Sequence, residues 1–157
     1  RHGARLKKGK ERALVDEVRI GPARVALAVP MTYMNESGDA VRRLVHRYGV
    51  DPEHVIVVHD ELDLPPGEMK VKVGGGLAGH NGLRSITQHL RTQDYLRIRI
   101  GVGKPDSAHV GKVHVLAKIP KRQREVLDVA VVEAADAVEM IIADGVDAAM
   151  QRYNSRR

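Results

Sequence analysis

The sequence predicts an α/β fold, a single-domain three-layer α/β/α sandwich over residues 1–157 built on a mixed sheet. Three observations lead there. The apolar pattern switches repeatedly between a period of two and a period near 3.6, the marks of strands and of amphipathic helices. The chain has 157 residues, the usual size of one domain. No repeat, low-complexity tract or Pro/Gly/Ser-rich linker divides it.

The elements follow in order. Ala13 to Ile20 and Arg24 to Val29 are β-prone runs separated by Gly21-Pro22, so they read as two strands in a tight connection, with Pro30 closing the second. Over Ser37 to Tyr48 the period lengthens. Ala40, Val41, Leu44, Val45 and Tyr48 form one apolar stripe, Arg42, Arg43 and Arg47 turn away, and Gly49 stops the helix. Asp51-Pro52-Glu53 gives a turn. Val55 to Val58 is a continuous apolar run, the pattern of a strand buried on both faces of a parallel sheet, and it stops at His59. Glu68 to Val73 alternates, with Met69, Val71 and Val73 opposed to Glu68, Lys70 and Lys72. A glycine-rich loop from Gly74 to Gly82 leads into a helix with Leu83, Ile86 and Leu90 on one face. Tyr95 to Val102 alternates again, Arg97 and Arg99 opposing Leu96, Ile98 and Ile100. From Arg122 to about Ala143, and on to Tyr153, the pattern is helical with a break at Gly145.

Composition narrows the function. Apolar residues at 43% and charged residues at 29% argue against disorder. With no cysteine, disulfides, thiolate metal sites and cysteine nucleophiles are excluded. With no Trp or Phe and four Tyr, the chain is a poor platform for stacking single-stranded bases. Lysine and arginine number 26 against 20 acids, a net charge of +6 that fits either solubility or a phosphate-bearing partner. No apolar run is long enough for a transmembrane helix, so no membrane partner is expected.

Several polar groups have two readings. Asn35, just before the first helix, can cap it, or can hold a side-chain amide at the open end of a strand, where it grips a carbonyl or a developing oxyanion. Asp60 follows an apolar strand, where α/β folds place their sites; it can equally cap the turn. Glu61 and Asp63 stand beside it, but no matching ligand spacing supports a metal, and no cofactor is expected. The glycine run lacks the Gly-Lys-Ser/Thr ending of a phosphate-binding loop and the dinucleotide spacing. His80 and Asn81 at its exit lie where backbone can approach a ligand, although His80 alone fits a structural role. Lys70 with Lys72, and Arg97 with Arg99, share strand faces. Such charges protect a sheet edge; on neighbouring strands they also form one patch suited to phosphate.

Taken in order, Met34-Asn35-x-Ser37-Gly38, His59-Asp60-Glu61-Leu62-Asp63, Gly67, Lys70-x-Lys72, Gly74-Gly75-Gly76-x-x-Gly79-His80-Asn81-Gly82-Leu83 and Arg97-x-Arg99-Ile100-Gly101-x-Gly103 closely resemble the bacterial peptidyl-tRNA hydrolase family. The resemblance runs from about Leu14 to the C-terminal helix. It implies a monomeric, cytoplasmic, metal-free α/β enzyme that cleaves the ester between peptide and tRNA, recycling tRNA from peptides dropped by stalled ribosomes. By position it implies catalytic roles for Asn35 (placing the peptide at the scissile ester), Asp60 (orienting the catalytic histidine) and Asn81 (positioning water or stabilising the oxyanion). Tyr33, Met34, Gly79 and His80 are then substrate-binding. Lys70, Lys72 and Arg99 meet the acceptor stem and 3′ end of peptidyl-tRNA.

The family's opening strand, Asn-Pro-Gly loop and Arg-His-Asn motif, which carries the general-base histidine, have no counterpart here. Arg1-His2 is followed by Gly3, and His2 lies too close to Met34-Asn35. Arg1 to Lys10 therefore reads as a connector left after an absent first helix, His2 is not assigned as the base, and a chain starting at Arg1 is expected to be impaired. The rival reading is a non-catalytic RNA-binding module on the same scaffold. The presence of Asn35, Asp60 and Asn81 together favours the enzyme.

Overall fold

In a computed structural model, which describes residues 1–77, 79–103 and 121–154, the strands form two three-stranded sheets. Packing groups the chain into two compact units. Ala78 of the glycine-rich loop lies outside the described residues.

The first unit holds residues 1–55 and 73–96. Its sheet is antiparallel in the order β1 (Lys7–Lys8), β2 (Ala13–Ile20), β3 (Ala23–Pro30). The β2–β3 hairpin pairs Ile20 with Ala23 and Ala13 with Pro30, and Gly21 supplies the positive φ that its two-residue turn needs. Ala13 and Val15 are buried at one end of the strand, while Glu17 and Arg19, on the same face nearer the turn, are exposed. Helix α1 (Ser37–Tyr48) lays its apolar stripe on this face, Ala40 joining Ala13 and Val15, with Leu44 and Tyr48 packed beside them. It ends at Gly49, which takes the left-handed conformation (φ 61°) and donates its N–H to the Val45 carbonyl. Strand β1 falls inside the segment expected to be a connector. Its two lysines carry no apolar pattern, and only its pairing with Leu14 and Val15 defines it.

Helix α2 (Asn81–Leu90) meets the start of α1 at very short range. The Gly38 N–H donates to Ser85 Oγ at 2.8 Å, and a Cβ on Gly38 would lie 2.1 Å from the Ser85 carbonyl oxygen. Leu83 and Ile86 are buried beneath, and the fully buried Tyr95 donates its hydroxyl to the Leu83 carbonyl.

Asp39, in the first turn of α1, ties this unit together by charge. Its carboxylate accepts from Arg12 Nη1 (2.8 Å), Arg42 Nη2 (2.8 Å) and Arg43 Nε (3.2 Å). The Arg12 hydrogen bond, then those of Arg42 and Arg43, hold the carboxyl well below its ordinary value. A depressed folded-state pKa contributes stability that is complete above the unfolded value and is lost as pH falls through the folded one. Asp39→Asn should therefore lower the melting temperature near neutral pH. The gap from wild type should close only below about pH 4, the unfolded Asp range. A gap constant down to strongly acid pH in parallel thermal melts would separate Asp39 from this linkage.

The second unit holds residues 56–72 and 97–157. Its sheet has the order β4 (Ile56–Glu61), β6 (Leu96–Gly101), β5 (Met69–Val73), the end residues Leu96 and Val73 falling in the first unit. Leu96 N–H donates to the Val55 carbonyl and Val102 N–H to Glu61, so β4 and β6 run parallel. Gly101 N–H donates to Glu68 and Gly74 N–H to Tyr95, so β5 and β6 run antiparallel. This is the expected mixed sheet. The two C-terminal helices, α3 (Lys121–Asp144) and α4 (Val146–Asn154), pack on each other across the Gly145 break. A stripe of Ala130, Ala134, Ala137 and Ile141 is buried along α3.

Two expectations for β4 are corrected. The strand runs on through Asp60 to Glu61 instead of stopping at His59, because the β6 pairing extends to Val102. It is also not buried on both faces: Val58 is 49% exposed, its side chain on a face of the sheet that is left partly uncovered.

Candidate functional site

In the first unit, a 3₁₀ turn at Met34–Glu36 precedes α1, and the Ser37 hydroxyl locks it by donating to the Met34 carbonyl at 2.8 Å. The capping role open to Asn35 is not realised. The residues at the two cap positions are Tyr33 and Glu36, neither using its side chain, and Asn35 is exposed. Tyr33 is 81% exposed and Met34 56%, so this turn presents two large apolar side chains and an amide to solvent.

The glycine loop delivers the next group. Gly79 takes φ +72° and His80 becomes the N-cap of α2. Its Nδ1 accepts the Leu83 N–H at 3.2 Å, which puts the proton of the neutral ring on Nε2. The Nδ1 lone pair is thus committed to the helix, and in this tautomer Nε2 carries the ring's donor. Asn81 follows, exposed, as the first residue of the helix. The two segments touch at Gly82, where a Cβ would come within 2.7 Å of Met34 Sδ and 2.9 Å of His80 Cε1. Met34 and His80 therefore meet over a glycine, each with an exposed asparagine as its chain neighbour.

In the second unit, Asp60 is half-buried on β4. Lys70 and Lys72 are exposed on β5, and neither is ion-paired among the described residues. With Glu68 opposite Gly101 and Gly74 opposite Tyr95, Lys70 stands opposite Arg99 and Lys72 opposite Arg97, all on one face. The shared face is as expected, but the arginines are not a solvated edge. β6 is the central strand, so Arg97 is 2% exposed and Arg99 is 22% exposed at its side chain. Arg99 donates both Nε (3.0 Å) and Nη2 to Oε1 of the buried Glu61. The sequence marks Glu61 only as an acid beside Asp60 and does not show its pairing with Arg99; an acid ending one apolar strand and a cation on another are the available signal.

Among the described residues, Asp51, Glu53 and His54 bring ligand-type atoms within 4.8 Å of one another. All three are exposed on a 3₁₀ turn, where hydration competes with any ion. No described helix is long and apolar enough to cross a membrane.

The first unit thus carries exposed amides beside a histidine-capped helix, and the second a cationic strand face. The family described as Peptidyl-tRNA hydrolase matches residues 1–157. A peptidyl-tRNA hydrolase of Pseudarthrobacter chlorophenolicus is 47% identical over 156 residues, covering 98% of this chain and 80% of that protein. One of Frankia alni is 45% identical over 155 residues, covering 99% and 79%. The crystal structure of peptidyl-tRNA hydrolase from Acinetobacter baumannii superimposes with a TM-score of 0.92 at 37% identity, covering 99% of this chain and 80% of that one. The chain belongs to the peptidyl-tRNA hydrolase family.

Proposed function

We propose that the protein hydrolyses peptidyl-tRNA. Water adds to the ester carbonyl carbon, the bond to the ribose oxygen breaks, and a peptide acid and a tRNA with its hydroxyl restored depart. The observation that carries this reading, in a chain of this family, is the pair of exposed amides whose neighbours Met34 and His80 meet over Gly82. Asn35 and Asn81 serve as amide donors to the peptide carbonyl and the developing oxyanion, where preorganised donors count most. Asp60 serves as the carboxylate that in this family orients the catalytic histidine, a role assigned to no histidine of the present sequence. Tyr33, Met34 and Gly79 offer surface to the peptide, and His80 offers its Nε2–H. The protein acts as a cytoplasmic monomer on the acceptor stem and 3′ end of tRNA.

Lys70 and Lys72 are the phosphate contacts best supported, because no acid among the described residues forms an ion pair with them. Arg99 joins them with its charge already partly offset by Glu61. Release of tRNA from diacetyl-lysyl-tRNA over time is the direct test; binding without release would move the protein to the RNA-binding-module reading. Lys70→Ala should weaken binding of all tRNAs alike and lower the slope of log K against log salt by about one. An unchanged slope in a tRNA titration would make the face mere surface.

A further inference from the structure

Strand β5 has one strand neighbour among the described residues, β6. In that antiparallel pairing Glu68, Lys70, Lys72 and Gly74 aim their backbone groups at β6. Val71 lies between the two lysines, so its N–H and C=O point outward, away from β6. An open strand edge leaves such groups to water or to another chain. Here one side chain takes both. Asn154, the last residue of α4, accepts the Val71 N–H with Oδ1 at 2.8 Å and donates Nδ2 to the Val71 carbonyl at 2.7 Å. The amide reproduces what a neighbouring strand residue would offer. It does so across 83 positions of sequence. The Val71 side chain is itself 1% exposed, so the residue is held both at its backbone and at its side chain.

We infer that Asn154 is a positioning residue for RNA: it fixes β5 at the one residue that separates Lys70 from Lys72. This rests on the reading of those lysines as phosphate contacts. A lysine is a flexible point charge, so the geometry a phosphate meets is set by the strand that carries it. With Val71 clamped, both ammonium groups start from a fixed base on one face, opposite Arg99 and Arg97. Without the clamp, the edge strand must satisfy Val71 with water, and the lysines pay an ordering cost when RNA binds. The chemical step is untouched, because Asn154 reaches only the β5 backbone in this role.

The test compares Asn154→Ala, Asn154→Leu, Asn154→Gln and Lys70→Ala in the same protein, with peptidyl-tRNA turnover and amide hydrogen exchange as readouts. Leu keeps side-chain bulk and helix propensity but removes both hydrogen bonds; Gln keeps both amide groups. Ala and Leu should raise KM by about 3–10-fold, the scale of one lost hydrogen bond or two, with kcat within about twofold of wild type. The Val71 amide should exchange faster while that of Ile98, in the central strand, stays protected. Gln should recover most of the KM. The salt slope should fall by less than in Lys70→Ala, since both charges remain.

Faster Val71 exchange with an unchanged KM would overturn the inference, leaving Asn154 as an edge seal only. So would a loss of kcat equal to the rise in KM, loss of Ile98 protection, or failure of both Ala and Leu to fold. Each of these makes the residue structural. If Lys70→Ala alters neither KM nor salt slope, the RNA reading of the face fails, and the inference with it. If Lys70→Ala weakens binding and Asn154→Leu does not, only the inference fails.

Discussion

Asn35→Ala is expected to lower peptidyl-tRNA turnover by about 10²–10³, the cost of losing one preorganised amide donor. Melting temperature should hardly move. The side chain is exposed and caps neither the 3₁₀ turn nor α1, and surface changes away from such features stay within about ±0.5 kcal/mol. Asp60→Ala should also reduce turnover, because it removes the carboxylate suited to holding a water-activating imidazole. Single-turnover hydrolysis of diacetyl-lysyl-tRNA beside thermal melts provides the check. Wild-type rates in both variants, with normal melting, would remove these residues from the chemistry.

Gly38→Ala should be the most damaging single methyl group in the first unit. On an exposed helix face the same change would stabilise by about 1 kcal/mol, through helix propensity. Here the new Cβ would stand 2.1 Å from the Ser85 carbonyl oxygen and 2.6 Å from His89 Cδ2. The first of these is backbone and has no rotamer to yield. Overpacking of this kind costs about 1–3 kcal/mol, occasionally more. It also forces apart the Gly38 N–H and Ser85 Oγ, a buried hydrogen bond whose loss adds about 1–3 kcal/mol. The clash and the lost bond outweigh the propensity gain, so the melting temperature should fall by several degrees. Because Met34, Asn35 and the start of α2 adjoin this contact, turnover should fall as well. A melting temperature equal to or above wild type would mean that α1 and α2 separate freely.

Most strands and helices were legible because each carries its own period. The α1 stripe ends at Gly49 as its sequence says, and the Ala13–Ile20 strand begins and ends at the expected residues. What was hidden depends on pairing across distance. β1 is two exposed lysines, and only the register with β2 makes them a strand. The apolar run ending at Val58 reads as two-sided because hydrophobicity does not report what covers each face of a sheet. Arg97 and Arg99 have the same alternation as Lys70 and Lys72, yet a central strand buries one pair and an edge strand exposes the other. The site shows the same division. Asn35, Asp60, His80 and Asn81 stand in a recognisable order along the chain. The commitment of His80 Nδ1 to the Leu83 N–H, the grip of Glu61 on Arg99, and the amide of Asn154 on Val71 need the folded chain to bring donor to acceptor.

The Asp39 cluster bears on how the protein meets a polyanion in the first place. Arg12, Arg42 and Arg43 count toward the net charge of +6, yet all three converge on one carboxylate. Arg47 is likewise engaged by Glu11 at 2.7 Å. Paired charges of opposite sign cancel at a distance, so the long-range potential around α1 is weaker than its arginine content suggests. Attraction of a polyanion therefore falls more heavily on cations with no ion pair among the described residues, Lys70 and Lys72 among them. The encounter rate should follow the cations outside such pairs rather than the total of basic residues, while Arg42 and Arg43 neutralise Asp39 within α1 and Arg47 ties the helix to Glu11.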